Sequence, residues 1–153
     1  MTIDELLARE AIRQTMAQYN QAGDRLKVEE FVLAFTEDGV LETGACRFAG
    51  RAAIRGWLTG WHEPGRTSSA PTRPPRFVRH NLTTCSIELT GPDTAKARTY
   101  WLVYTDIGPD HCGYYVDQFR KTGDRWLIQY RTARTDWMAA DSRFGSPNEA
   151  ETL

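Results

Sequence analysis

Residues 76–89 read Arg-Phe-Val-Arg-His-Asn-Leu-Thr-Thr-Cys-Ser-Ile-Glu-Leu, an extended run that is rich in β-branched residues. A Pro-rich segment precedes the run and Gly91-Pro92-Asp93 follows it, so it predicts a long strand between a loop and a turn. His80 lies near the start of this strand. The other two histidines, His62 and His111, lie in Pro- and Gly-flanked sequence that predicts loops. His80 is therefore the best-placed group for proton transfer near neutral pH.

Three more strand-like runs follow, at 94–106, 114–121 and 126–136. Turn signals at Gly108-Pro109-Asp110 and Thr122-Gly123-Asp124 separate them, and connections this short favour an antiparallel meander. The run from Tyr100 to Tyr104 is apolar at both odd and even positions. We therefore expect the chain's own helices to cover one face of the sheet and a second copy of the chain to cover the other.

Two helices are predicted at the N-terminus. Thr2 and Glu5 form a capping-box pair, and apolar residues then recur at helical spacing to about Gln21. A second, shorter apolar stripe begins just after Asp24 and runs to Phe35. The short connection predicts that the two helices are joined tightly.

A hairpin and a third helix complete the part of the chain before the strand run. β-Forming residues on both sides of Gly44-Ala45 predict the hairpin, and the third helix carries Trp57 and Trp61 on one stripe. Residues 62–75 are rich in Pro, Gly, Ser and Thr and show no periodicity, which predicts a long loop. This loop is interpreted either as a lid over a binding site or as a plain surface connection.

The composition is that of an ordinary globular domain, with 41% hydrophobic and 25% charged residues among 153. A net charge of -1 provides no attraction to nucleic acid or to an anionic membrane. No apolar run is long enough to span a bilayer and the N-terminus is too acidic for a signal peptide, so we expect a cytoplasmic protein. We expect a single domain over residues 1–140 and a frayed polar tail at 141–153.

Metal and cofactor sites are not predicted. Cys46, Cys85 and Cys112 are widely spaced and form no Cys-x-x-Cys pair, which argues against a zinc site or a disulfide framework. Asp110-His111-Cys112 offers three potential metal ligands, but adjacent residues do not easily surround one ion. The sequence has no Gly-rich phosphate loop, dinucleotide-binding fingerprint or nucleophile elbow.

The order of these elements resembles the cone-shaped α+β fold of the nuclear transport factor 2-like superfamily. The SnoaL-like branch is similar to this chain in short motifs that span roughly residues 3–137. They are Leu7-Ala-Arg-Glu-Ala-Ile-Arg13, Tyr19-x4-Asp24, Phe35-Thr-Glu-Asp-Gly-Val-Leu-Glu42, Gly50-Arg-x-x-Ile54, Arg79-His80 and Tyr115-Val-Asp-Gln-Phe119 with Gly123-Asp-Arg-Trp126. The resemblance implies three N-terminal helices packed in the concave face of a strongly curved, mostly antiparallel sheet.

The resemblance also implies a catalytic site made of Tyr19, Asp24 and His80. Bile acid 7α-dehydratase has a Tyr and an Asp at this spacing that meet a His, and scytalone dehydratase and hexachlorocyclohexane dehydrochlorinase use a similar Asp–His pair. Carried over by position, His80 is the general base and Asp24 its orienting partner. Tyr19 is the hydrogen-bond donor to the leaving or carbonyl oxygen.

The chemistry of these residue types agrees with those roles. Imidazole accepts a proton near neutral pH, a carboxylate on its other nitrogen fixes the tautomer, and a phenol donates without ionising. Each residue also has a structural interpretation. Asp24 is placed to cap the second helix, Tyr19 continues an apolar stripe, and His80 fits a hydrogen-bonded strand residue.

Many large apolar side chains indicate a small hydrophobic, ring-containing substrate. The predicted contact residues are Trp57, Trp61, Phe77, Trp101, Tyr115 and Arg134. Arginines on the last strand also have acidic partners in reach, such as Asp117 for Arg131. The function that the resemblance implies, and with which these residue types agree, is that of a cofactor-independent, dehydratase-type lyase.

Other functions of this fold stay open as alternatives. An isomerase would want a carboxylate at Thr43, whereas Glu42 is one residue away and faces the opposite side. An epoxide hydrolase would need an Asp-Arg-Asp set, for which Arg98, Asp106 and Asp117 are a loose match. A cyclase, or a non-catalytic small subunit of a ring-hydroxylating dioxygenase, is a further alternative.

A homo-oligomer of two or three chains is also predicted. A curved sheet with apolar residues on both faces leaves an outer surface that a domain of this size cannot cover alone. Tyr100, Tyr104 and the strand 114–121 are its predicted contributors.

Overall fold

The computed structural model describes residues 1–60 and 74–145. Trp61, His62 and most of the predicted loop 62–75 lie outside these residues, as does the tail beyond 145. The described elements follow in the order α1 (Ile3–Asp24), α2 (Val28–Val32), β1 (Phe35–Thr43), β2 (Cys46–Ala49), α3 (Arg51–Gly60), β3 (Arg79–Leu89), β4 (Thr94–Thr105), β5 (Gly108–Thr122) and β6 (Arg125–Met138).

The strands form one mixed sheet in the order β2-β1-β6-β5-β4-β3. The strands β3 to β6 form the predicted antiparallel meander, and β1 pairs with β6 in parallel. The sheet is open, with β2 and β3 at its edges. The predicted α+β cone is therefore confirmed.

The long helix α1 packs its apolar face against the inner face of the sheet. The Thr2 and Glu5 capping box is present at its start, as the sequence predicts. Ile12, Met16 and Tyr19 are buried along the helix, and the Thr15 hydroxyl donates to the Trp126 carbonyl at 2.5 Å. No helix within residues 1–60 and 74–145 combines the length and apolar character needed to cross a bilayer.

Strand β5 begins earlier than the sequence predicts. The turn expected at residues 108–110 is instead a two-residue connection at 106–107, since Thr105 pairs with Gly108 and Tyr104 with Pro109. Pro109 is tolerated because it lies at the start of the strand and beside a bulge. The loop predicted around His111 is therefore wrong, and His111 is a buried strand residue.

The start of the C-terminal tail is also more ordered than predicted. Residues 139–145, called here the C-terminal segment, fold back onto Asp110. The Ala139 amide donates to the Asp110 carbonyl at 2.8 Å, and the Ser142 hydroxyl donates to the Asp110 carboxylate at 2.6 Å. The expectation of a frayed tail from Asp141 is wrong for residues 141–145, because Ser142 and Arg143 donate hydrogen bonds to the buried Asp110 carboxylate.

Candidate active site

Two hydrogen bonds join the C-terminal residue of α1 to the second residue of β3. The Asp24 carboxylate accepts the His80 backbone N–H at 3.0 Å, and its other oxygen lies 2.5 Å from His80 Nδ1. The two bonds hold both the backbone and the ring of His80. Asp24 does not cap α2, whose N-cap is Lys27, so the capping interpretation is not what the structure shows.

The contact with Asp24 determines which nitrogen of His80 is available for chemistry. A carboxylate accepts the proton on Nδ1, which leaves the lone pair of the neutral ring on Nε2. Nε2 has no hydrogen-bond partner among the residues that the structure describes. The His80 side chain is 23% exposed, so the ring is partly open to solvent.

A second carboxylate–imidazole pair, which the sequence did not predict, lies in the same region. His111 Nδ1 is 2.8 Å from an oxygen of Asp110, which is completely buried. Burial raises the pKa of Asp110, but hydrogen bonds from Ser142, Arg143, His111 and Thr105 outweigh this effect and hold the pKa below its usual range. Burial lowers the pKa of His111 despite the neighbouring carboxylate, which favours the neutral ring.

The sheet register brings the two imidazoles together. Val103 pairs with His80 on one side and with His111 on the other, so the three residues form one row across β3, β4 and β5. Cross-strand partners share a face, and two strand spacings separate the imidazole-bearing backbones by roughly 10 Å. The alternation His111-x-Gly113-x-Tyr115 is the sequence signal that identifies His111 as an inner-face residue.

Trp101 lies among these imidazoles. Its ring centroid is 6.3 Å from that of His80, 5.4 Å from that of His111 and 5.8 Å from that of Tyr115. A Cβ at Gly113 would come within 1.9 Å of the Arg134 carbonyl oxygen and within 2.8 Å of the indole, so both the neighbouring strand and Trp101 require glycine here. Of the predicted contact residues, Trp101 and Tyr115 therefore lie in the same cluster as His80.

Tyr19 lies in an aromatic layer beside Tyr115. Its ring contacts those of Phe31, Phe35 and Tyr115, at centroid distances of 4.4, 5.7 and 5.8 Å. Burial raises the pKa of Tyr19, with Arg131 opposing the effect, so the hydroxyl stays protonated. The described contacts of Tyr19 are with core residues rather than with His80, and its role as a donor stays a prediction.

Arg131 forms a buried ion pair next to the two tyrosines. Its guanidinium binds Asp117 through two hydrogen bonds of 2.8 and 2.7 Å, which confirms the predicted pairing. It also stacks over Tyr19 at 4.2 Å and over Tyr115 at 4.0 Å. Burial lowers the pKa of Arg131, but Asp117 more than offsets this effect and keeps the side chain charged.

Arg134 does not belong to this cluster, and its prediction as a contact residue is corrected. Trp126 and Ile128 face inward, but a bulge between Ile128 and Tyr130 shifts the alternation, so that Arg131 and Ala133 face inward after it. Arg134 pairs with Tyr114 on the outer face.

Two other predicted contact residues lie apart from the imidazoles. Trp57 packs on Phe31 and Phe48, at centroid distances of 6.2 and 5.9 Å. Phe77 is 44% exposed and lies under the Arg79 guanidinium. Trp61 is outside the described residues, so its contact is not tested.

The residues considered for the alternative enzymes do not meet. Arg98 stacks on Tyr114 at 3.8 Å, Asp106 binds Arg143, and Asp117 binds Arg131. Glu42 accepts a hydrogen bond from the Tyr130 hydroxyl. Its neighbour Leu41 is the residue that pairs with the inward-facing Arg131. Neither the Asp-Arg-Asp set nor an inward carboxylate on β1 is assembled.

Metal-ligating side chains do not gather within residues 1–60 and 74–145, where no group of three or more His, Cys, Asp or Glu is close enough to hold an ion. Two surface depressions lie away from the imidazoles. One is lined by Thr36, Asp38 and Arg120, and the other by Leu89, Pro92 and Trp126, among other residues. No histidine lines either of them, so the chemistry of the side chains points to the cluster around Trp101.

An open curved sheet with helices packed against its inner face defines a protein of the cystatin-like, nuclear transport factor 2-like class. The match to a sequence family model identifies the family within that class. The chain belongs to the SnoaL-like domain family, whose model matches residues 4–132. No curated protein matches the chain significantly.

Solved structures share the fold over nearly the whole chain. A proposed scytalone dehydratase from Novosphingobium aromaticivorans is 24% identical, with a TM-score of 0.74 over 96% of this chain and 97% of the other. Hexachlorocyclohexane dehydrochlorinase LinA-type3 from Novosphingobium barchaimii is 13% identical, with a TM-score of 0.73 over 90% and 92%. The β subunit of a proposed aromatic-ring-hydroxylating dioxygenase from N. aromaticivorans is 17% identical, with a TM-score of 0.71 over 94% and 98%. These similarities establish the fold.

Proposed function

We propose that the protein is a cofactor-independent lyase that eliminates water, or a similar small leaving group, from a small hydrophobic ring compound. The observation that carries this proposal is the 2.5 Å contact between Asp24 and His80 Nδ1, combined with an Nε2 that has no described partner. That arrangement is the one a general base needs. Solved structures of the same fold include a dehydrochlorinase and a proposed dehydratase.

A single imidazole can carry out both proton transfers of the elimination. His80 Nε2 takes a proton from a carbon next to an electron-withdrawing carbonyl group, and Asp24 stabilises the imidazolium that forms. The electron pair of the broken C–H bond forms the new double bond as the leaving hydroxyl departs. The imidazolium returns its proton to that hydroxyl, which leaves as water, so the enzyme regains its starting state.

Two further residues are assigned roles in holding the substrate. His111 is neutral and its Nδ1–H is directed at Asp110, so Nε2 is an acceptor for the hydroxyl group that leaves. Tyr19 is the donor to the carbonyl or leaving oxygen, and the raised pKa of its buried hydroxyl keeps it in the donating form.

A non-catalytic small subunit of a ring-hydroxylating dioxygenase is the second candidate. The similarity to such a β subunit covers 94% of this chain, but at 17% identity it concerns the fold. In both His80 and His111 the Nδ1 atom contacts a carboxylate and Nε2 is left to bind a ligand. This arrangement is better explained by catalysis than by subunit packing. Stable copurification with a large oxygenase subunit would favour this second candidate.

The lyase proposal is tested with a panel of cyclic β-hydroxy ketones, because elimination from them produces a conjugated enone that absorbs in the ultraviolet. His80→Ala should reduce turnover at least about a thousandfold, and Tyr19→Phe about a hundredfold. Ser86→Ala, at an exposed position of the same strand, is the matched control and should turn over normally. Undiminished elimination by His80→Ala would refute the base assignment, and no elimination of any compound by the wild type would favour the second candidate.

A further inference from the structure

The indole N–H of Trp101 is a buried hydrogen-bond donor that lacks an acceptor among the described residues. The side chain is 5% exposed, and native proteins leave few such groups unpaired because a buried donor without an acceptor is destabilising. A phenylalanine would fill an apolar position without this penalty. The unpaired donor therefore indicates an acceptor that the described residues do not supply.

The surroundings of the indole show where that acceptor belongs. The rings of His80, His111 and Tyr115 lie around Trp101 at centroid distances of 6.3, 5.4 and 5.8 Å, and a side chain at Gly113 would collide with both the Arg134 carbonyl and the indole. Each imidazole directs Nδ1–H at its own carboxylate. Among the ring nitrogens of His80, His111 and Trp101, the groups left for a ligand are two acceptors, the Nε2 atoms, and one donor, the indole N–H.

We propose that Trp101 Nε1–H donates a hydrogen bond to a carbonyl oxygen of the ligand, and that the site selects neutral β-hydroxy ketones on a hydrophobic ring. The indole N–H donates and never accepts, so it requires an acceptor such as a carbonyl, whereas the Nε2 atoms suit a hydroxyl group. Asp24 and Asp110 behind the imidazoles disfavour an anionic ligand. This inference rests on the proposed function and specifies its substrate class.

The same contact would assist the reaction. Removal of a proton beside a carbonyl group develops negative charge on the carbonyl oxygen, and a donor fixed in a water-poor site stabilises that charge. Trp101 would then act on the oxygen while His80 acts on the carbon. Aromatic contacts with Tyr115 and His111 hold the indole in place for this role.

The experiment compares two ring compounds that differ in one oxygen, 1-indanone and indane, in the wild type and in Trp101→Phe. The variant should bind 1-indanone about tenfold more weakly, whereas its affinity for indane should change by less than about twofold, since only the ketone loses a hydrogen bond. Trp137→Phe is the matched control, because Trp137 is 49% exposed on β6. It should bind both compounds as the wild type does.

A second measurement uses the wild type alone and does not depend on the folding of the variant. The indole proton of Trp101, assigned through its proximity to Gly113, should shift downfield in the NMR spectrum with 1-indanone and not with indane. Equal losses for both compounds in Trp101→Phe, unchanged binding of 1-indanone, or a wild type that does not bind 1-indanone would overturn the proposal.

The outcome is separable from that of the lyase proposal because binding is measured without turnover. Ketone-specific binding through Trp101 in a protein that eliminates nothing would sustain the ligand contact and overturn the lyase. Elimination by a protein whose Trp101→Phe variant keeps full preference for the ketone would overturn the contact and sustain the lyase.

Discussion

Asp24 occupies a position at which a carboxylate is locally unfavourable. It is the last residue of α1, where the helix dipole is negative, and the last turn has no basic residue. A negative charge there costs on the order of 0.3–1 kcal/mol. The carboxylate instead accepts hydrogen bonds from the backbone and the ring of His80. A residue that is locally unfavourable thus makes a contact with a residue 56 positions away, which is typical of a functional site.

Asp24→Asn tests this contact with little change in size. Turnover of a β-hydroxy ketone should fall about a thousandfold or more, because an amide cannot stabilise the imidazolium that forms on His80. Binding of 1-indanone should change by less than about threefold, since the amide oxygen still accepts from Nδ1–H. Calorimetric titration and initial rates measure the two effects. Glu88→Gln, an exposed change on β3, is the control, and a normal rate in Asp24→Asn would contradict the role.

At the scale of elements, the parts of the fold that local patterns specify are the ones that the sequence predicts well. The capping box identifies the start of α1, and the alternation of β4 buries its odd-numbered residues from Ala95 to Thr105. Contacts distant in sequence are harder to predict. Asp24 and His80 were brought together by the family resemblance, because no local pattern joins a helix end to a strand 56 positions later.

The missed residues have specific physical reasons. Gly108 and Pro109 carry a strong turn signal, but pairing with β4 extends the strand through them and makes His111 an inner-face residue. A bulge at Gln129 reverses the faces of β6 and moves Arg134 outward, and a single strand gives no sign of such a bulge. The order of residues 141–145 depends on a carboxylate some 30 positions away. Each miss is a case in which tertiary contacts override local preference.

Asp110 connects three elements, and Asp110→Asn tests its importance for stability. The carboxylate accepts from Thr105 on β4, from His111 on β5 and from Ser142 and Arg143 in the C-terminal segment. The amide nitrogen of asparagine would face donors, so unfolding in urea should show a loss of about 3 kcal/mol or more. Asp106→Asn, which affects the more exposed pair with Arg143, should cost much less.

The lowered pKa of Asp110 determines how the loss of unfolding free energy in Asp110→Asn depends on pH. A carboxyl whose pKa is lower in the folded state stabilises the fold above its unfolded pKa, and that contribution is lost as pH falls through the folded value. The difference between wild type and Asp110→Asn should therefore be full at neutral pH and shrink below about pH 4. A difference that stays constant to lower pH would show that the charge of Asp110 is not what stabilises the C-terminal segment.

At the scale of the whole molecule, the two faces of the sheet have different surroundings. The inner face is covered by α1 and its aromatic layer, whereas the outer face leaves large apolar side chains in solvent. Tyr100, Tyr104, Val116 and Trp137 are exposed by 48, 40, 42 and 49%. Val116 is central to this outer face, between Arg98 on β4 and Thr132 on β6. Exposed apolar residues grouped on one sheet face are typical of an interface.

We therefore predict a homo-oligomer of two or three chains that associate through the outer face. The substitution Val116→Arg should dissociate it. In a symmetric interface the same residue is contributed by each chain, so an added charge is introduced on both sides and beside Arg98. Burying these charges without partners costs more than the contact provides, and the variant should be monomeric by light scattering at micromolar concentration. Leu33→Arg is the control, because it introduces the same charge at an apolar residue that lies outside the sheet and is 43% exposed. This variant should keep the wild-type mass. A monomeric wild type, or a Val116→Arg variant with the wild-type mass, would contradict the predicted interface.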